Sequence, residues 1–160
     1  MNKELERKLI NQVKKNPLSL KDIEEQTERI CLEAVKKYGN ALFYVKDQTP
    51  EICLEAVKQN ADSLCYVECQ TDNICKEALK SNFDGSLHFI IIKEKSTAMI
   101  VLKASLRHGV KNKAILTKIL NKFSKDKEII DFYTKHKLWN IVDFSKVKLN
   151  DNLIQYGMTI

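Results

Sequence analysis

Thiols, imidazoles and amines are the side chains of this sequence with chemistry to offer, and spacing decides whether they offer it together. Cys31, Cys53 and Cys75 recur every 22 residues, so units of that length stacked side by side would bring three thiols into a ladder, a conceivable metal site. Each, however, follows an isoleucine and precedes an alanine by three residues, the setting in which free cysteine behaves as a small buried hydrophobe. The column is read as core packing. Cys65 and Cys69 lie four apart, a spacing that can give zinc two ligands, with Glu68 and His88 as imagined remainder. Structural zinc sites show two short-spaced pairs, and here there is one, so packing or an exposed thiol is the reading. His88, His108 and His136 are scattered with no serine or cysteine partner to make a nucleophile and base. No glycine-rich phosphate loop, HExxH pair or GxSxG elbow occurs. The expectation is a non-catalytic protein with no cofactor, no metal and no small-molecule substrate.

Amines are the more suggestive group. Arg107, Lys111, Lys113, Lys118, Lys122, Lys125 and Lys127 form a basic stretch able to contact nucleic acid or an acidic partner by neutralising its charge. Lys118, Lys122 and Lys125 stand at i, i+4 and i+7, on one face of a helix. The net charge of +6 is uneven: residues 1–91 hold 13 basic against 15 acidic side chains and residues 92–160 hold 14 against 6, so the two parts are near −2 and +8. Only Arg7, Arg29 and Arg107 are arginine, the residue that grips phosphate bidentately, so a solvated lysine face is the default. Tyr44, Tyr66 and Phe89 form an aromatic column that either lines a peptide groove or fills the space between units, with filling the default.

The elements that must position these residues follow from an internal repeat. Residues 26–47 set above residues 48–69 give 12 identities in 22 positions without a gap. A third copy opens at Gln70, so the strong copies are 26–47, 48–69 and 70–95; weaker ones occupy 4–25 and 96–109. An extra residue near Gly85, and three more at 92–95, displace the last. A fixed period of this length marks a repeat array. Within a copy, Thr27, Thr49, Thr71 and Thr97 stand where a helix N-cap belongs, and Pro50 suits a first helical turn. Ile52, Cys53, Ala56 and Val57 make one apolar stripe. The first helix ends at Tyr38-Gly39, Asn60 or Asn82, residues that tolerate a left-handed turn, and a shorter second helix carries Leu42, Tyr44 and Val45 or their equivalents. Neither helix can bury its stripe alone, so neighbouring copies must stack.

The predicted fold is all-α: a short α-solenoid of 22-residue helix-turn-helix repeats over residues 1–109, continuous with a helical C-terminal cap over 110–160. The cap holds Ile115, Leu116, Ile119, Leu120, Ile129, Ile130, Leu138 and Trp139, then a last segment with Leu153, Ile154 and Tyr156. With 44 % apolar and 30 % charged residues the chain is ordinary for a globular protein. Residues 1–8 lack the apolar run of a signal peptide, the longest apolar runs are the five-residue stretches 41–45 and 98–102, and the cysteine count is odd. The expectation is a reducing, intracellular, cytoplasmic setting with no membrane partner.

The signature QT-x-x-ICLEAVKQN followed by Leu-x-Tyr-Val, at 48–67 and again at 26–45, resembles the domain-of-unknown-function family numbered 4116. The resemblance implies helical units, a source among giant amoebal viruses, bacteria or protists, and action in a host cytoplasm; it assigns no catalytic residue. The functional expectation is a scaffold for protein-protein interaction, with nucleic-acid binding through the basic C-terminal half as the alternative.

Overall fold

The structure, a computed structural model, describes residues 2–109, 112–142, 144–147 and 153; Lys111, Ile154 and Tyr156 lie outside them. Among the described residues every regular element is a helix, as the repeat required. The chain divides into two compact units, Met1–Ile91 and Ile92–Ile160. That division falls where the charge changes sign and where the three-residue insertion interrupts the period, so the 96–109 copy belongs to the second unit.

In the first unit, α1 (Lys3–Lys15), α2 (Glu28–Lys37), α3 (Pro50–Gln59) and α4 (Asp72–Ser81) pack each against the next. Their caps are those the sequence implies: the hydroxyls of Thr27, Thr49 and Thr71 accept from the amides of Ile30, Ile52 and Ile74 at 3.3–3.4 Å. Two of these hydroxyls also donate to the preceding copy, Thr27 to Glu6 at 2.9 Å and Thr49 to Glu28 at 3.0 Å. The expected stripe is buried: Ile52, Cys53, Ala56 and Val57 and their equivalents in α2 and α4 are at most 3 % exposed.

The second helix of a copy is a six-residue 3-10 helix: Pro17–Asp22, Gly39–Tyr44 and Ala61–Tyr66. Its tighter winding explains the short period. Ten residues of α-helix rise about 15 Å, and six of 3-10 helix climb back about 12 Å. With one cap residue and five linking residues the copy closes at 22. The fourth copy has the extra residue, and there the second helix is α-helical instead, α5 (Phe83–Phe89). Seven residues at the lower α rise span about 10 Å, so the insertion is absorbed by a change of winding.

One expectation is corrected at the turn between the two helices. Tyr38, Asn60 and Asn82 are extended, with φ of −149°, −149° and −145°, and not left-handed. A single residue here ends one helix and begins the next. Its amide closes onto Ala34, Ala56 or Ala78 at 2.9 Å, while the Asn60 and Asn82 carboxamides each accept from an amide of the second helix at 3.1 Å. An N-cap requires β-region backbone, and that requirement wins.

Successive copies are also clasped by Gln26, Gln48 and Gln70. Gln26 Nε2 donates to the carbonyls of Leu20 at 3.1 Å and Tyr44 at 2.9 Å, and its Oε1 accepts from the Lys46 amide at 3.0 Å. Gln48 repeats the forward half of this, with Tyr66 O and Glu68 N, and Gln70 the whole of it, with Leu64 O, Phe89 O and Ile91 N. The reach is 18 residues in the first two copies and 19 in the third, the extra residue counted by the bond itself.

The second unit contains α6 (Lys95–Arg107), α7 (Lys113–Lys122) and α8 (Lys127–Lys135), followed by 3-10 turns at Leu138–Asn140 and Phe144–Lys146. Leu102, Leu116, Ile119, Leu120, Ile129, Tyr133 and Leu153 form its core. Thr97 is not an N-cap, contrary to the repeat alignment: the cap of α6 is three residues earlier, at Glu94, and Thr97 is buried within the helix. Asn112 and Asp126 cap α7 and α8 by accepting from Ile115 and Ile129 amides. The Tyr133 hydroxyl donates to Leu116 O at 2.6 Å, and burial pushes its phenol well above the ordinary range.

Candidate functional site

The thiols separate into two populations. Cys31, Cys53 and Cys75 are buried, and each lies within sulfur hydrogen-bond reach of the clasping glutamine of its own copy, at 3.7, 3.3 and 4.0 Å. Burial pushes all three up to about 11, which leaves only about one thiol in a thousand ionised at pH 8. Cys65 and Cys69 are exposed. An aromatic disulfide reagent at pH 8 is therefore expected to titrate two thiols rapidly in the native protein and five after denaturation; rapid reaction of all five would show that the column is not packed as described. Among the described residues no group of three or more histidine, cysteine or carboxylate side chains gathers as a metal site would require. His88, His108 and His136 are each exposed on different elements, His136 lying 4.5 Å from the Phe132 ring.

The aromatic column is not core. Tyr44 and Tyr66 are half-buried and Phe89 is 39 % exposed. Phe43, one repeat period before Cys65, is 63 % exposed. It stands edge-on to both tyrosines, 5.1 Å from Tyr44 and 5.4 Å from Tyr66, a T-shaped geometry that rings favour. Tyr66 is pushed above its ordinary value first by the adjacent Cys65 thiol and in smaller measure by the Tyr38 and Tyr44 phenols, so these groups share one locality. With Tyr38 41 % exposed, the 3-10 helices present a row of rings to solvent. The sequence signal was available: an aromatic pair, Phe43-Tyr44, at the end of a six-residue helix cannot place both rings inward.

Charge divides the same unit by layer. Segments 16–26, 38–48, 60–70 and 82–91, which carry the second helices and their links, hold seven acidic side chains and two lysines. The α-helices are internally compensated, through Lys14–Glu33, Arg29–Glu6, Lys58–Glu55 and Lys80–Glu77. The aromatic row thus sits on the acidic edge of the array.

The basic stretch is also rearranged relative to expectation. Helix α7 ends at Lys122, so Lys125 has left the face it was expected to share with Lys118 and Lys122. Lys113 replaces it. Lys113, Lys118 and Lys122, with Lys146, line a concavity of about 710 Å³ whose floor includes Thr117 and Asn121. Lys125 lines an adjoining depression beside Asp126, which shares Asn121 and Lys122 with the first. Arg107 and Lys127 are exposed elsewhere, and Lys111 is outside the described residues.

Residues 27–68 match the family described as a domain of unknown function, DUF4116. The matched stretch runs from the Thr27 cap to Glu68, whose amide closes the second glutamine clasp, and so covers nearly all of the two strongest copies. It is 42 of the 160 residues, and the likeness to DUF4116 supports the helical repeat without assigning a ligand or a reaction. No curated protein and no solved structure matches the chain. Among the described residues no helix is long and apolar enough to cross a membrane.

Proposed function

We propose that the chain is a non-catalytic scaffold whose first unit docks a partner protein along the edge formed by Tyr38, Phe43, Tyr44, Tyr66 and Phe89. The exposure of Phe43 carries this reading. A ring 63 % open to water yet pinned by two neighbours has little conformational entropy to lose on binding, and aromatic anchors of this kind dominate interface energetics. The acidic surround favours a basic partner segment, since complementary charge speeds encounter and excludes wrong partners. Stacked copies offer an extended surface suited to holding such a segment. The resemblance to a family of host-associated organisms and the five free cysteines support action in a reducing host cytoplasm.

The test is affinity capture with the full chain from a eukaryotic host lysate, with and without nuclease, beside Phe43→Glu. A discrete protein retained after nuclease, and lost in the variant, is expected, because a charge placed at an anchor costs about 2 kcal/mol or more of binding. The variant's melting temperature should stay within a few degrees, since surface substitutions shift stability by only about 0.5 kcal/mol. Capture indifferent to Phe43→Glu would remove the aromatic edge from the function.

A further inference from the structure

The lysine-lined concavity of the second unit is independent of the aromatic edge and calls for its own occupant. Helix α7 carries its apolar side chains, Ile115, Leu116, Ile119 and Leu120, into the core. The opposite face bears Lys113, Thr117 and Asn121 in one row and Lys118 and Lys122 in the next, each step one helical turn. The Asn121 carboxamide donates to the Lys146 carbonyl at 2.8 Å, which holds the 3-10 turn Phe144–Lys146 against this face and gives the concavity its second wall. Lys122 Nζ donates to the Ile92 carbonyl at 2.7 Å, so one amine is already positioned. Four lysines border the space, and no carboxylate does among the described residues. The nearby acids Asp126 and Glu128 are instead paired with Lys95, at 3.3 and 3.0 Å.

Lys113 is the telling residue. It occupies the first position of α7, where no acidic side chain accompanies it and where a cation opposes the helix dipole. On the rim of a hollow lined by three further lysines, Lys113 is placed to meet an anion that enters it. Lysine is a compact point charge that meets phosphate without demanding a planar partner, and about 710 Å³ lies within the volume of small-ligand pockets.

We infer that this concavity binds a compact anion bearing two or more closely spaced phosphates. The gathering of four lysines around one hollow favours a free polyphosphate over a nucleic-acid strand, which would be met by charges strung along a line; Lys127 and Arg107 lie elsewhere. Recognition is by charge: Thr117 and Asn121 already donate to backbone carbonyls, and no aromatic side chain lines the hollow among the described residues to stack a base.

The test uses the full chain, inorganic tripolyphosphate and titration calorimetry at about 0.1 M salt. Lys113→Gln/Lys118→Gln is compared with Lys103→Gln/Lys127→Gln, exposed lysines of the same unit that remove the same charge away from the hollow. Saturable one-to-one binding is expected, weakened at least about tenfold by the first pair, since a hydrogen bond to a charged group is worth roughly that factor or more. The second pair should change it about twofold or less. Relief of the dipole conflict means that the first pair should melt no earlier than the parent, so its loss cannot be ascribed to unfolding. Equal weakening by both pairs, or no saturation, overturns the site. A single-stranded RNA that binds more tightly than tripolyphosphate at equal phosphate concentration, and is weakened selectively by the first pair, overturns the compact ligand in favour of nucleic acid.

Discussion

Gln26→Leu is expected to lower the unfolding midpoint of the first unit by roughly 10–20 °C, the equivalent of about 2–3 kcal/mol. The substitution keeps the size of the side chain and removes every bond it makes. The carbonyls of Leu20 and Tyr44 lose their donor, the Lys46 amide loses its acceptor, and the groups left behind sit in a half-buried seam. A hydrogen bond contributes only about 1 kcal/mol net, but an orphaned partner costs about 1–3 kcal/mol where water cannot reach it. Since one glutamine serves two copies, its loss weakens the stacking on which a repeat array depends. Gln26→Glu separates the donor from the acceptor function. At neutral pH it sets a carboxylate against two carbonyls, which raises the carboxyl's folded pKa above its unfolded value. Protonation is then favoured in the folded state, so the stability of this variant relative to the parent should rise as pH falls through the raised folded value and be fully recovered below the unfolded one. Thermal melts of parent and both variants between pH 4 and 8 read the outcome. A Gln26→Leu protein that melts within 2 °C of the parent would mean that the clasp is incidental to the stack.

The glutamine column shows what a repeat discloses and what it withholds. That Gln26, Gln48 and Gln70 matter is visible in their recurrence; that each reaches 18 or 19 residues ahead to a backbone carbonyl is not, because backbone partners leave no trace in residue identity. The threonine caps, Pro50 and the isoleucine-cysteine-alanine stripe were legible because each depends on neighbours within one helical turn. The 3-10 winding of the second helix was not, since side-chain pattern over six residues does not distinguish a rise of about 1.5 from about 2.0 Å. Thr97 misled for the opposite reason: alignment to the period placed it at a cap, but the insertion at residues 92–95 let α6 begin earlier. At the candidate sites, residue types were right and groupings were not. Lys118 and Lys122 were read on one face, yet the end of α7 removed Lys125 from it and the wall supplied by Lys146 comes from more than 20 residues away in sequence. No recurrence marks Phe43, because its column holds Lys21, Cys65 and His88.

Gly39 carries the second large effect. Gly39→Ala is expected to destabilise the first unit by about 1–3 kcal/mol, and Gly39→Val by about 3 kcal/mol, at the upper end of the range for overpacked sites. A Cβ at this position would lie 2.5 Å from the Ala56 carbonyl oxygen and 2.6 Å from Ser63 Oγ. The first belongs to the backbone of α3 and cannot swing aside. The second is a fully buried hydroxyl already committed to Asn40 at 2.8 Å. The Gly39 amide also donates to Gln59 Oε1, which draws the chain in and closes the gap further. Read from the sequence, this glycine looked like a left-handed helix stop; its backbone is not left-handed, and what it supplies is the missing side chain that lets one copy's second helix touch the next copy's first. Gly109 is the converse case, with φ of +78° and no atom within 4 Å of a built Cβ, so alanine there should cost about 1–2 kcal/mol from backbone strain alone. Denaturant titrations of Gly39→Ala, Gly39→Val and Gly109→Ala separate the two causes. A steep rise from alanine to valine at position 39 fits a steric limit, whereas equal costs for both would point to a backbone requirement. The neighbouring copies carry Pro17, Ala61 and Phe83 at the same position, so the close approach is a property of one interface, which is why the period could not reveal it.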